Sequence, residues 1–189
     1  MDPKTGEILA HATAPTFDPN NTRNVSLQSM RNPSVQDVYE PGSTGKVMTL
    51  SAAIEEGKVT PSTVFTVPYA LKVSKTVFRD NEKHPTLRLT TSGILAESSN
   101  TGAIQVGEKL DNRVLYDYLK KFGVGSDTGS GLPGESPGVL PSVANWTGTT
   151  APTVAFGQGY SLTAMQATSI FATIANNGLR VSPTVIAGT

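Results

Sequence analysis

Cysteine is missing altogether from these 189 residues, which excludes a disulfide framework and any thiolate metal site. Its absence fits an oxidising compartment and is equally common in the cytosol. Histidine is nearly as scarce: His11 and His84 are too few and too far apart for a metal centre. Neither sign of charge is in surplus, since fifteen Lys and Arg balance fifteen Asp and Glu. A chain without a net field is poorly matched to nucleic acid or to an anionic membrane surface. No stretch approaches the roughly 18 apolar residues of a membrane span, and Met1 leads into a turn instead of a signal peptide. Internal repeats, low-complexity tracts and linkers are lacking too, so residues 1–189 are expected to form one domain or most of one. With 37% hydrophobic and 16% charged residues, the chain has the composition of a folded polypeptide with a real core.

The most informative stretch is Glu40-Pro41-Gly42-Ser43-Thr44-Gly45-Lys46. Pro41 and Gly42 read as a tight turn, and Val47 to Glu56 reads as a helix closed by Gly57. Ser43 then lies at the helix start with Lys46 three residues on. That spacing puts both side chains on one face, with Cβ atoms roughly 5–6 Å apart. A serine hydroxyl is a poor nucleophile unless a neighbouring base takes its proton. Burial and the positive end of the helix dipole both disfavour the ammonium form of a lysine placed there. The bland alternatives are an N-capping serine and a solvated lysine. A nucleotide phosphate loop fails at both ends, because Glu40 and Val47 stand where that motif needs glycine and Ser or Thr.

A second cluster, Ser98-Ser99-Asn100, follows 52 positions after Lys46. It separates a helix capped by Thr90 and Thr91, running through Ile94, Leu95 and Ala96, from a second helix over Thr101 to Leu110. A Ser-x-Asn break between helices puts a hydroxyl and a carboxamide on one corner. Its alternative is a polar connection that satisfies backbone groups. Ser-x-x-Lys followed by Ser-x-Asn is far more specific than either motif alone.

Together these motifs resemble the first two active-site motifs of penicillin-binding protein transpeptidase domains. The flanks resemble the class B, division-specific type. Asp2-Pro3-Lys4-Thr5-Gly6-Glu7-Ile8-Leu9-Ala10 is similar to the hairpin that opens that domain. Phe122-Gly123-Val124-Gly125, Leu132-Pro133-Gly134-Glu135 and Phe156-Gly157-Gln158-Gly159-Tyr160 resemble its later landmarks. The family's third motif, Lys-Thr-Gly, follows Ser-x-Asn. Lys4-Thr5-Gly6 precedes the nucleophile and is explained by a surface turn, so it is read as a decoy. On the resemblance, the chain is expected to be an internal piece of a transpeptidase domain that stops before the third motif.

The resemblance implies an α+β fold of the penicillin-binding protein and serine β-lactamase type, a five-stranded antiparallel sheet between helices with a helical lobe beside it. This chain would hold the lobe and the start of the sheet. It implies a D,D-transpeptidase without cofactor or metal, acting on peptidoglycan stem peptides and acylated by β-lactam antibiotics. Ser43 would be the nucleophile, Lys46 its base, Ser98 the proton relay and Asn100 a contact to the substrate backbone. Divisome proteins would be partners of the parent, which an upstream anchor would hold on the extracytoplasmic face of the bacterial membrane. An oxyanion hole lacking one donor typically loses about 10²–10³ in rate, so the fragment itself is expected to be nearly inert. The alternatives are a serine β-lactamase or β-lactam sensor, and a non-catalytic transpeptidase-like division scaffold.

Elsewhere, Glu7 to Thr13 reads as a strand, Thr16 to Pro33 as loop and Val35 to Tyr39 as a short extended run. Lys58 to Leu89 reads as irregular, with β-branched runs Val64 to Val67 and Lys72 to Phe78 and one small hairpin. Asn112 is expected to cap a helix through Phe122, and Gly123 to Ala151 to form a long ordered loop. Ser161 or Thr163 is expected to cap a last helix through Ala175, ended by Asn176-Asn177-Gly178. The Ser43 and Ser161 helices are expected to leave apolar faces only partly covered. Glu40 reads as a carboxylate capping the following helix, Trp146 as a packing anchor, and Gln158-Gly159 as a loop behind the cleft. Gly45 departs from the family, where a larger apolar residue is usual, and is expected to loosen the packing of Lys46.

Overall fold

The computed structural model describes residues 1–186. Its elements in chain order are α1 (Pro33–Gln36), a 3₁₀ turn (Gly42–Gly45), α2 (Lys46–Glu55), β1 (Val64–Val67), β2 (Ala70–Val73), β3 (Thr76–Arg79) and β4 (Leu87–Thr90). There follow α3 (Thr91–Ala96), α4 (Asn100–Gly107), α5 (Asn112–Lys121), a 3₁₀ turn (Val143–Asn145), α6 (Thr150–Ala155) and α7 (Ala164–Ala175). No helix among the described residues is long and apolar enough to cross a membrane. Helices with short antiparallel strands make this a partial α+β fold, as expected. The chain divides into two compact units, each discontinuous in sequence: Met1–Tyr39 with Phe122–Val139 and Leu162–Thr189, and Glu40–Lys121 with Leu140–Ser161. Because the chain crosses between them several times, no shift in composition marks a boundary.

In the first unit, Asp2 to Gly6 forms the expected turn, with Lys4 and Thr5 exposed at its tip and Gly6 buried. The Asp2 carboxylate accepts the Lys4 and Thr5 N–H groups at 2.7 and 3.2 Å, and Gly6 takes φ +81°. Beyond it the expected strand over Glu7–Thr13 does not form. Among the described residues, only the Gly6–Ile8 backbone pairs, with Thr184, and Leu9 is 72% exposed. A strand needs a ladder, and weak alternation cannot supply one. The expected extended run at Val35 begins instead as the single helical turn α1, with Pro33 at its first position, where proline's fixed φ suits a helix. The chain becomes extended only afterwards, where Tyr39 bridges to Leu162.

Thr163, one of the two expected caps, opens α7. Its hydroxyl accepts the Gln166 N–H at 3.1 Å, and the Gln166 side chain accepts the Thr163 N–H at 2.8 Å. The buried Gln166 amide also donates to the Ser126 and Pro137 carbonyls at 2.9 and 2.8 Å, with the Gly123 carbonyl at 3.2 Å. Glu135 accepts the Thr128 N–H and hydroxyl and the Ser130 hydroxyl. These side chains substitute for secondary structure in the Gly123 to Val139 segment and order it. The outer face of α7 stays bare: Phe171 and Ala175 line an open groove of about 590 Å³ with Tyr39 and Pro3.

The second unit is built on α2, whose Met48, Leu50, Ala52 and Ala53 are buried together with Ile94, Ile104, Val106, Leu115, Leu119 and Val154. Here the expectation of a poorly covered Ser43 helix fails, because α4 and α5 pack over it. A small hairpin does form, from β2 and β3, but its turn at Ser74, with φ +56°, breaks the run Lys72 to Phe78 that was expected to be continuous. A second antiparallel pair, β1 with β4 in the register Val64↔Thr90 to Val67↔Leu87, was not expected. Two polar-flanked four-residue runs, 23 positions apart at their first residues, meet only through the fold. The short helix α6 likewise interrupts the end of the expected loop. The α5 cap falls one residue early, as the Leu115 N–H bonds to the Asp111 carbonyl. Trp146 anchors as expected, its indole N–H bonded to Pro141 O at 3.1 Å and its ring edge-on to Tyr116.

Thr163→Ala removes the Thr163 half of the α7 capping box. It is expected to destabilise the protein by about 1 kcal/mol in urea unfolding.

Candidate active site

Ser43 sits in the 3₁₀ turn that feeds α2, and Lys46 is the first residue of α2 proper. The turn is pinned on both flanks: the Gly42 N–H bonds to Gly157 O at 2.8 Å, and the Thr44 hydroxyl donates to Pro41 O at 2.8 Å. Glu40 does not cap the helix. Its carboxylate accepts the Gly159 N–H at 2.8 Å and so ties the Phe156–Tyr160 segment to the Ser43 turn. A Cβ on Gly45 would lie 2.4 Å from the Tyr160 hydroxyl oxygen and 2.9 Å from Gly157 Cα. The glycine admits the Tyr160 segment against the turn, and Lys46 is packed tightly, at 0% exposure, contrary to the expected loosening.

Lys46 Nζ donates to Ser43 Oγ at 2.9 Å, to Ser98 O at 2.7 Å and to Ser98 Oγ at 3.1 Å. Three ammonium hydrogens thus meet three oxygens. Burial drives the proton affinity of Lys46 down, to a pKa of about 8, against the opposing pull of the Asp80 charge. Two of the three acceptors are hydroxyls, which can reverse their bonds. A neutral Lys46 therefore keeps its bond to the Ser98 carbonyl while its lone pair accepts the Ser43 proton.

Ser98 reaches Lys46 through an unusual helix ending. The Ser98 N–H bonds to Leu95 O and the Ser99 N–H to Ile94 O, at 3.1 and 3.0 Å, and Ser98 takes φ +54°. This is the Schellman pattern, in which the left-handed position is normally glycine. Serine there carries a strain of roughly 1–2 kcal/mol, and such strain tends to sit at functional sites. Ser99 caps α4, accepting the Gly102 N–H at 2.9 Å. Asn100, in the first turn of α4, donates from Nδ2 to Arg79 O at 3.0 Å. It shares with Ser43 an open recess of about 310 Å³ walled by Phe78, Arg79, Phe156 and Gln158. Gln158 lines that recess and does not lie behind it.

The structure thus brings Ser43, Lys46 and Ser98 into one hydrogen-bonded cluster and puts Asn100 on the wall of the same recess. Sequence reasoning missed Asp80 and His84, which lie beneath the Ser98 corner, and the β3 wall. No local signal marks them, since a lone Asp after a β-branched run has no motif value. No group of three His, Asp or Glu among the described residues is placed to hold a metal ion.

The family model of the penicillin binding protein transpeptidase domain matches residues 1–189. This chain belongs to that family. The penicillin-binding protein PbpB of Mycolicibacterium smegmatis is 40% identical over 192 residues, covering 100% of this chain and 29% of that protein. The peptidoglycan D,D-transpeptidase FtsI of Escherichia coli K12 is 35% identical over 180 residues, covering 95% of this chain and 30% of that protein. The crystal structure of penicillin binding protein 3 from Mycobacterium tuberculosis complexed with aztreonam superposes with a TM-score of 0.91 at 39% identity. It covers 98% of this chain and 42% of that one. The chain therefore spans less than a third of the length of these two curated relatives.

Ser98→Gly relieves the left-handed strain and removes the hydroxyl. Stability is expected to hold or to rise by about 1 kcal/mol in urea unfolding. A loss of about 1 kcal/mol or more would mean that the Ser98 side chain serves the fold.

Proposed function

We propose that this chain carries the nucleophile wall of a peptidoglycan D,D-transpeptidase, with Ser43 as the acylated residue. The observation that supports it most is the bonding of one buried lysine to two serines from separate motifs, 2.9 Å to Ser43 Oγ and 3.1 Å to Ser98 Oγ. Neutral Lys46 accepts the Ser43 proton as Oγ attacks the carbonyl between the terminal D-alanines of a stem peptide. The C–N bond breaks, the proton passes from Lys46 through the Ser98 hydroxyl to the leaving amine, and D-alanine departs. An amine of a second stem then attacks the ester carbonyl and gives up its proton to Lys46 by the same route. Lys46 passes that proton to Ser43 Oγ as the ester C–O bond breaks, which restores the serine and the neutral lysine. A β-lactam follows the first half of this path, with its ring nitrogen as the retained leaving group. Asn100 keeps one N–H and its carbonyl oxygen for the substrate backbone. The site residues and the serine acyl-enzyme, like a septal role, divisome partners and a membrane anchor in the full-length protein, all belong to this proposal. They rest on the cluster and on the family's motifs.

Fluorescent penicillin should label the full-length protein stoichiometrically, and Ser43→Ala should abolish the label while leaving the fold intact by circular dichroism. Labelling that survives Ser43→Ala sinks the assignment.

The reactive species holds Lys46 neutral. With its pKa near 8, only about a tenth of the protein is in that form at pH 7. Raising the pH removes the proton, so the acylation rate should climb through an acid limb centred near pH 8 and then level off. A rate that is flat from pH 6 to 9 would exclude Lys46 as the base.

A further inference from the structure

Asp80 is nine-tenths buried, lies outside both sequence motifs, and hydrogen-bonds to neither Ser43 nor Lys46. It follows β3, where its N–H closes the base of the β2–β3 hairpin on Tyr69 O at 3.1 Å. Oδ2 accepts the Ser99 hydroxyl at 2.7 Å and faces His84 Nε2 at 2.9 Å, while Oδ1 accepts the Thr101 N–H at 2.9 Å. Thr101 and Asn100 add bonds from α4 to the same hairpin base, at Pro68 O and Arg79 O. The carboxylate thus grips Ser99 and Thr101, the two residues that flank Asn100, and Ser99 directly follows Ser98.

That grip explains how Ser98 can be held left-handed without being glycine. A strained conformation persists only where its surroundings over-determine it. On one side the Schellman bonds fix Ser98 to α3. On the other, Ser99 and Thr101 are fixed by Asp80, and the Ser98 carbonyl and hydroxyl both bond Lys46. His84 locks the carboxylate in turn. Its Nδ1 faces Pro85 O at 2.7 Å and its Nε2 faces Asp80, both acceptors, an arrangement that favours the imidazolium. The bonds to Pro85 and Asp80 accordingly raise its proton affinity. Burial works against the Asp80 anion, but the Thr101, Ser99, His84 and Asn100 donors outweigh it and keep its pKa below the ordinary value.

We propose that Asp80 is a positioning residue of the acyl-transfer site. Through Ser99 and Thr101 it holds in place the strained Ser98 turn, and with it two of the three oxygens that bond Lys46 Nζ. This rests on the acyl-transfer function proposed for Ser43. Asp80 does not touch the reacting atoms. The charged groups concerned are Lys46, Asp80 itself, His84 against it, and Glu97, whose charge acts on His84.

The test uses the full-length protein, with the second-order rate of fluorescent-penicillin acylation measured from pH 6 to 9. Asp80→Asn keeps the shape and removes the charge. Acylation should slow by about 10- to 100-fold, the cost of a slightly misplaced catalytic group. The acid limb should also move to lower pH, because Lys46 loses the anion that holds its proton. Asp80→Ala should lose more rate; if it fails to fold, Asp80→Asn carries the test alone. Repeating Asp80→Asn in a His84→Gln background removes the histidine's own titration, and the displacement of the limb should persist. An Asp80→Asn protein with an unmoved limb overturns the proposal, whether its rate is unchanged or merely scaled down with its folded fraction. A wild-type protein that takes no label at all overturns the Ser43 assignment first, which keeps the two failures apart.

Discussion

A lysine amine with no solvent exposure joins a 3₁₀ turn to a helix–helix corner, and the organisation of the site follows from what that burial requires. Removing an ammonium from water is costly unless its hydrogens are bonded, and Lys46 recovers the loss with Ser43 Oγ, Ser98 O and Ser98 Oγ. The compensation is incomplete, which is why its pKa settles near 8. A fully satisfied ion pair would have kept the proton and left no base. Hydroxyl partners, able to reverse their bonds, let the same geometry serve the charged and the neutral lysine.

Two sets of contacts within the second unit keep that cluster in register. Glu40 and Gly42 fasten the Ser43 turn to the Gly157–Gly159 backbone, where a Cβ on Gly157 would collide with Gly42 O. Asp80 and the β2–β3 hairpin base fasten the opposite corner at Ser99, Asn100 and Thr101. The first unit is ordered differently, by the buried side chains Gln166 and Glu135, which bond backbone groups across long loops. In both, polar side chains stand in for a regular ladder.

Much of this was legible. The Ser43 and Lys46 pairing, the Ser-x-Asn corner and the caps Thr90 and Thr163 all follow from spacings of a few residues, where local geometry and capping chemistry decide the outcome. The strand predicted at Glu7–Thr13 failed because a strand depends on a neighbour. The β1–β4 pair and α6 were missed because their stabilisation is non-local. Glu40 was misassigned for the same reason: a turn carboxylate has many possible donors, and the one it found lies 119 positions away.

By itself the sequence determined which residues are chemically able to act. A hydroxyl three residues from a lysine at a helix start, and a Ser-x-Asn between two helices, are properties of short segments. Only the tertiary structure decided that the lysine loses its water and that Ser98 is held in a left-handed turn. It alone set Asp80, a residue without any motif, beneath that turn. Proton affinity and strain depend on what surrounds a group, and those surroundings are assembled from segments far apart in the chain.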